Sequence, residues 1–365
     1  MLQGARIAVV EPSLELGGAE LQGLLLARHL RANGADVMVF GMGEPGELSR
    51  RCAAESIPCV PLPRVESRWA WLAGRRLGHA ARIVSAFRPT LLIPFTSAPN
   101  VLCGLIAADG GAPAIWNQRD EGLFPQHLAH TQRALRACAT WVANGPGSAA
   151  WLEHRGIARE HIRVIANAVC PDPAQKNRAD WRSELSLPAD ATVACMLATL
   201  SPAKDHVTLL EAWGAVETAL PQAWLLLAGG DGGRESALRT QARWRGLTRI
   251  RFAGRVADVS GLLGACDLGV LSSGSEGLSN AIFDYRAAGL AIVASDVPGI
   301  RAAAHADAVL VPPTQPHALA AAVIDLLGDP QRRSERAQTA AHGLPGVAPL
   351  TDWVELIAAI VKVRR

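Results

Sequence analysis

The sequence predicts an α/β protein made of two doubly wound units, and three observations carry that expectation. Short apolar runs alternate with longer helix-period segments almost from end to end, the pattern of parallel sheets covered by helices on both faces. The chain has 365 residues, more than one hydrophobic core usually organises, so two domains are the natural starting point. Between the two alternations lies the polar stretch 170–178, CPDPAQKNR, whose Pro171 and Pro173 mark a boundary near 170.

In the first half, strands are expected near 6–10 (RIAVV), 36–40 (DVMVF), 90–94 (TLLIP), 113–116, 140–143 and 162–165 (IRVI). The first helix runs from about Gly18 to Ala32 and stops at Asn33-Gly34, a usual C-terminal signal. The second half repeats the pattern with strands near 192–198, 223–228, 249–253, 267–271, 291–294 and 308–311. Its helices are expected at about 205–219, 234–245, 258–265, 279–289 and 316–327. A last apolar-periodic segment, WVELIAAIVKV at 353–363, follows a Pro/Gly-rich passage at 343–349, too late for a strand-helix pair. The domains expected are therefore 1–170, 171–345 and a terminal helix in 346–365 that packs back on the first.

Composition narrows the function. Hydrophobic residues make up 49%, and the formal net charge is only +3 with both signs well mixed, which argues against a nucleic-acid binder relying on phosphate neutralisation. The partners expected are small molecules. Seven cysteines stand singly in apolar contexts without a C-x-x-C pair, so reduced, buried thiols are expected. The start, MLQGARIAVVEPSL, reads as a first strand rather than a signal peptide, and no run of about 18 apolar residues suggests a membrane span. A cytoplasmic protein is expected.

The stretch 271–289, LSSGSEGLSNAIFDYRAAG, is the most informative. Glu276 opens a loop, Asp284 follows eight positions later, and a helical pattern starts between them. A helix N-terminus carries unpaired N–H groups and a partial positive charge, so carboxylates beside it allow phosphate and sugar hydroxyls to be held together. That combination suits a nucleotide-sugar. An acid that only complements a helix dipole is the plainer alternative for Glu276, whereas Asp284 lies on an apolar face and needs partners.

Other candidates lie at strand ends. Lys204, in LSPAKDH, follows a strand, and the chain has only three lysines against 33 arginines. Gly17-Gly18 follow the first strand and would let backbone approach a phosphate or sugar; a tight turn explains them equally well. Gly230, in the run 229–233, and Val256, after Gly254-Arg255, end two more strands where a base and ribose could be clasped, with plain turns as the alternative.

These motifs in this order resemble the retaining glycosyltransferases of family 4, whose GT-B fold sets two Rossmann-like domains facing across a cleft. The resemblance spans nearly the whole chain: GGAE at 17–20, VANGPGSAAWL at 142–152, VIANAV at 164–169, LSPAKDH at 200–206, LLLAGGDG at 225–232, FAGRV at 252–256, SEGLSNAIFDYRAAG at 275–289 and SDVPGI at 295–300. It implies that Lys204 holds the donor diphosphate, that Glu276 contacts the transferred sugar and that Asp284 holds the ribose. Backbone at Gly277, Leu278, Ser279 and Asn280 would bind phosphate or sugar hydroxyls, Gly17 and Gly18 would close from the other domain, and Val256 would lie near the base. The implied reaction retains anomeric configuration by same-face attack, the leaving phosphate helping to take the acceptor's proton, with no metal or other cofactor required. The donor would be a UDP- or GDP-sugar and the acceptor a glycan or lipid-linked glycan, in polysaccharide biosynthesis.

The chain departs from that pattern at four places. Asp284 replaces the second glutamate of E-x7-E, Thr199 stands where an arginine is usual, and Ala302 where a glutamate is common. The usual histidine has no counterpart in IWNQRDEG at 115–122, leaving Arg119 and Asp120 as catalytic candidates there. These departures motivate a second reading, a catalytically weakened partner subunit that binds nucleotide-sugar or glycan; a nucleotide-sugar epimerase is a third. Residues 64–88 carry Arg64, Arg68, Arg75, Arg76, Arg82 and Arg88 against a single Glu66, with Trp69 and Trp71 beside them. A peripheral contact with anionic lipid at the inner membrane face is one reading, a solvated helix with core tryptophans the other.

Overall fold

A computed structural model describes residues 1–64, 70–120, 128–304, 306 and 308–362. They form two compact units, Met1–Ala168 with Pro345–Arg365, and Val169–Leu344.

In the first unit β1 (Arg6–Glu11), α1 (Gly18–Ala32), β2 (Asp36–Met42), α2 (Glu47–Ala54), β3 (Cys59–Leu62), α3 (Ala70–Ala86) and β4 (Leu91–Pro94) come first. Then follow α4 (Ser97–Ala108), β5 (Ile115–Gln118), α5 (Leu128–Ala137), β6 (Thr140–Ala143), α6 (Pro146–His154) and β7 (Ile162–Val164). The strands pair in parallel in the orders β3-β2-β1-β4 and β5-β6-β7. One bridge, Leu92 to Ala114, and the Leu92 N–H donating to Pro113 O at 2.9 Å connect β4 to the start of β5. Buried on both faces, β1 must be apolar almost throughout, and Ile7, Ala8, Val9 and Val10 are inaccessible. The core is filled by Phe40 edge-on to Phe87 and by Trp116 stacked on Trp151, each with centroids 6.2 Å apart.

The strand β3, CVPL, lies outside the expected set. It is four residues long and holds Pro61, which removes a ladder donor, and it survives because it is an edge strand. The strand expected at 113–116 is shifted onward to 115–118, Pro113 standing ahead of it. Along α3, Arg75, His79 and Arg82 are exposed, as are Arg64 and Arg88 outside it, and α3 contains no acid. Glu66, Arg68 and Trp69, and the side chain of Trp71, lie outside the described residues.

The second unit contains α7 (Arg178–Glu184), β8 (Thr192–Leu197), α8 (His206–Ala219), β9 (Ala223–Ala228), α9 (Glu235–Trp244), β10 (Ile250–Gly254), α10 (Val259–Gly264) and β11 (Leu268–Leu271). It continues with α11 (Asn280–Ala287), β12 (Ala291–Ser295), α12 (Pro298–Ala304), β13 (Val309–Val311), α13 (Pro316–Gly328) and α14 (Pro330–Ala340). Its six parallel strands run β10-β9-β8-β11-β12-β13, so the order reverses between β8 and β11. Helices α7, α12 and α14 were not expected from the sequence. The first two are only seven residues each, too short to show a period, and α14 is polar nearly all round, its start fixed by the Asp329 carboxylate accepting from the Arg332 N–H at 3.0 Å.

At the reversal the ladder is short: β8 and β11 pair only at Ala194–Leu268 and Cys195–Gly269. Beyond these pairs Tyr285, the chain's single tyrosine, stands between the strands. Its hydroxyl accepts from the Leu197 N–H at 2.7 Å and donates to Val270 O at 3.1 Å. The ring crosses β11 at Gly269, where a Cβ would lie 2.5 Å from it, so only glycine fits. Arg286, the next residue of α11, donates to Ala303 O at the end of α12 and to Ala340 O and His342 O at the end of α14, which anchors α11.

The last helix, α15 (Ala348–Lys362), begins ahead of the expected 353 because Pro349 sits in its first turn, where a missing N–H costs nothing. It packs against α1, burying Leu350, Trp353, Val354 and Ile357. No helix among the described residues is long and apolar enough to cross a membrane.

Candidate functional site

In an open parallel sheet, the loops leaving two strands at the point of reversal run to opposite faces and leave a crevice at their carboxyl ends. In the second unit those loops are 198–205 after β8 and 272–279 after β11. They carry Lys204 and Glu276, 72 positions apart in sequence, and the Lys204 ammonium meets Glu276 Oε1 at 2.5 Å. The same oxygen accepts from Ser273 Oγ at 2.8 Å, and Glu276 is 8% exposed.

Hydrogen bonds to backbone carbonyls stitch the two loops together. Ser272 Oγ donates to Asp205 O at 2.9 Å, and the Gly274 N–H donates to Ala203 O at 2.9 Å. Asp205 adopts the left-handed conformation, φ +48 and ψ +49, which aspartate tolerates better than most residues. From there its carboxylate caps α8, accepting from the Thr208 N–H at 3.2 Å and Thr208 Oγ1 at 2.6 Å. The turn thus directs Lys204 toward Glu276 while starting the next helix. Under Glu276, the backbone of α12 approaches so closely that a Cβ on Gly299 would lie 2.1 Å from Glu276 O.

Gly277, Leu278, Ser279 and Asn280 lead directly into α11, whose N-terminus is capped by Ser279 Oγ accepting from the Ile282 N–H at 3.4 Å. Asp284 lies one turn further on, half-buried, with no hydrogen bond or ion pair to any described residue. Desolvation pushes its carboxyl up to about 7. Gly230 belongs to a loop laid against residues 198–200: a Cβ on Gly229 would fall 1.9 Å from Ala198 O, and one on Gly232 would fall 2.5 Å from Leu200 O. Val256 is half-buried in the loop after β10.

His206, the first residue of α8, is 2% exposed, and neither ring nitrogen has a hydrogen-bond partner among the described residues. Burial, with the nearby charges of Lys204 and Arg234, holds it down at about 4, so it is neutral at physiological pH.

The remaining candidates belong to the first unit. Gly17 caps α1 and Gly18 starts it; a Cβ on Gly17 would lie 2.7 Å from the Glu20 carboxylate, which accepts from Ser13 Oγ at 2.8 Å. Arg119 follows β5, 8% exposed, donating to Asn167 Oδ1 at 2.5 Å and lying over the Phe95 ring at 5.0 Å. Desolvation lowers its guanidinium to about 10, against the opposing effect of Glu11. The Asp120 carboxylate accepts from Gln118 Nε2 at 2.8 Å. Glu121 and Gly122 of the same segment lie outside the described residues.

The structure therefore gathers Lys204 and Glu276 into direct contact and places 277–279 in the same loop, with Asn280 opening α11. Sequence reasoning missed Ser273, because a hydroxyl after a strand gives no signal of its own, and His206, which reads as an ordinary helix start. It also missed Glu11, fully buried at the end of β1 with both carboxylate oxygens unpartnered among the described residues. An acid closing the apolar run RIAVVE is a signal that was present. Desolvation, reinforced by Glu20, raises its carboxyl well above the usual range. Among the described residues no group of three His, Cys, Asp or Glu side chains is placed to hold a metal ion.

Two family models match this architecture in order. Residues 16–172 match Glycosyltransferase Family 4, and residues 191–329 match Glycosyl transferases group 1. Among curated proteins of Rhizobium meliloti (strain 1021), the lipopolysaccharide core biosynthesis glycosyltransferase LpsE is 34% identical over 175 residues, 48% of this chain and 48% of the relative. LpsD, a lipopolysaccharide core biosynthesis glycosyltransferase of the same strain, is 32% identical over 216 residues, 58% of this chain and 59% of the relative. The chain spans about half the length of the curated relatives it matches. Among solved structures, Anabaena Alr3699/HepE in complex with UDP and glucose superposes with a TM-score of 0.80 at 20% identity, covering 97% of this chain and 99% of that one. WaaG, a glycosyltransferase involved in lipopolysaccharide biosynthesis, gives 0.73 at 16% identity over 92% of this chain and 94% of its own. The chain thus joins a Glycosyltransferase Family 4 domain to a Glycosyl transferases group 1 domain on the GT-B fold of its structural neighbours.

Proposed function

We propose that this chain is a retaining hexosyltransferase that moves a sugar from a nucleotide diphosphate, UDP- or GDP-linked, to a glycan or lipid-linked acceptor. The observation that carries the reading is the Lys204–Glu276 pair at the reversal of the second sheet, beside the N-terminus of α11. A cation and a carboxylate in contact there suit a ligand that is anionic at one end and hydroxylated at the other. Lys204 takes the diphosphate, Glu276 a hydroxyl of the sugar, Asp284 the ribose, and backbone from Gly277 to Asn280 the remaining phosphate or sugar oxygens. Gly230 and Val256 border the base. In the first unit Gly17 and Gly18 border the donor, while Arg119 and Asp120 orient the reacting groups.

The bond from the anomeric carbon to the donor phosphate breaks while the acceptor oxygen bonds to the same face of that carbon. The departing diphosphate oxygen takes the acceptor's proton. Catalysis then consists of positioning and of stabilising the diphosphate as charge develops on it. The UDP complexes of Alr3699/HepE and the lipopolysaccharide names of LpsE and LpsD support a UDP-sugar and a lipid-linked glycan. The exposed arginines 64, 75, 82 and 88 suit an anionic inner-membrane surface where such an acceptor is found.

The test is turnover of UDP-, GDP- and ADP-sugars with lipid-linked and free glycan acceptors. Release of nucleotide with transfer to acceptor is expected, and Glu276→Ala should abolish it; a chain that turns over no donor in this panel would refute the reading. Thr199 and the unpartnered Asp284 favour one alternative, a subunit that binds nucleotide-sugar without transferring it. Binding by calorimetry without turnover would identify that case.

A further inference from the structure

A diphosphate is multiply anionic, and the crevice between β8 and β11 offers it little free positive charge. Lys204 is in contact with Glu276, so its charge is already largely matched, and Thr199 is neutral. The α9 N-terminus is also taken: the Asp231 carboxylate accepts from the Arg234 N–H at 2.8 Å and the Glu235 N–H at 3.0 Å, bonds that hold its carboxyl below the usual range. Beside Arg255, which lies against Gly230, the loop after β9 carries a second cation, the Arg234 side chain. It is half-buried, and its guanidinium has no hydrogen bond or ion pair to any described residue.

Its place is set by the glycine loop. Ala198 N–H donates to Ala228 O at 2.8 Å and Leu200 N–H to Gly230 O at 3.0 Å, so the loop after β9 runs alongside the loop that carries Thr199. The close approaches at Gly229 and Gly232 press the two together. Arg234 therefore emerges at the same sheet edge as Lys204. Both cations bear electrostatically on His206, which, being neutral, adds no charge of its own.

We propose that Arg234 supplies the second positive charge for the donor diphosphate, the charge that Thr199 lacks and that Lys204, paired with Glu276, provides only in part. The proposal rests on the nucleotide-sugar reading and names a residue that specifies the phosphate end of that ligand. A guanidinium suits the task, since its fork matches two phosphate oxygens at once.

The experiment is calorimetric titration of the full chain with UDP, GDP and ADP, and with the monophosphate of whichever base binds. Arg234→Ala should weaken diphosphate binding about tenfold or more and monophosphate binding by less than about threefold, the loss of one charge-assisted contact. Thr199→Arg in the Arg234→Ala background should restore most of the loss. Unchanged diphosphate affinity in Arg234→Ala, or equal losses for both nucleotides, would overturn the proposal while leaving the nucleotide-sugar reading intact. A wild-type chain that binds none of the diphosphates overturns both. Arg234→Gln, which drops the charge but keeps an extended polar side chain, gives the same readout should the alanine variant not fold.

Discussion

Asp284 titrates near pH 7 in the folded chain against about 3.8 for an ordinary aspartate, because the half-buried face of α11 disfavours its charge. Its ionisation therefore opposes folding. The advantage of the protonated form is full below about pH 4 and is lost as pH rises to about 7. After allowance for its solvent edge, the stability of the wild type relative to Asp284→Asn should fall by ~1–2 kcal/mol between pH 4 and pH 8. Urea denaturation of both proteins at the two pH values measures it, and parallel curves would show that the carboxylate finds a partner in solution. How much of the site was legible varies with residue. Glu276 and Lys204 stood out because each is a chemically distinct side chain just after an apolar run; Ser273 did not, since its role depends on a contact folded in from the next turn. Glu11 was overlooked for another reason: burial, not residue type, makes it unusual.

At the scale of elements, α12 meets the loop after β11 backbone to backbone. Gly299→Ala would force its Cβ against Glu276 O, and the backbone there has no flexible end to move aside. A loss of about 1–3 kcal/mol in stability is expected, with turnover reduced further because Glu276 shifts. Thermal unfolding and donor turnover together check it; a variant as active as wild type would show that the two backbones part easily. Strands such as RIAVV and AWLLLA were legible because burial on both faces demands an unbroken apolar run. The edge strand CVPL was not, because an edge needs fewer donors and tolerates Pro61. Short α7 and α12 lacked the length to show a period, and polar α14 lacked an apolar stripe.

For the whole molecule, the terminal α15 belongs with the first unit although 176 residues of the second unit, Val169–Leu344, separate them in sequence. Leu350, Trp353, Val354 and Ile357 are each no more than 5% exposed. Burying such side chains contributes about 1.5–3 kcal/mol apiece, together comparable to the net stability of a domain. Removing 345–365 should therefore unfold or aggregate the first unit, which limited proteolysis reads as rapid cleavage within 1–168 with 169–344 spared. Survival of both fragments would show that α15 is dispensable. The alternation of strands and helices announced the fold class. The strand order, and with it the meeting of two loops 72 residues apart, depends on non-local pairing that no local pattern records.

The phenol of Tyr285 works as a doorstop. Its oxygen occupies the place where the Leu197 N–H and the Val270 carbonyl would otherwise seek each other, and the gap it keeps is where the loops after β8 and β11 diverge. The crevice proposed to take the nucleotide is thus an interruption of the sheet, propped open from behind by an atom that no ligand needs to touch. Tyr285→Phe leaves the ring but removes the prop, so the strands are free to zip further. Nucleotide affinity should then fall although every residue facing the ligand is unchanged, and the same calorimetric titration would reveal it.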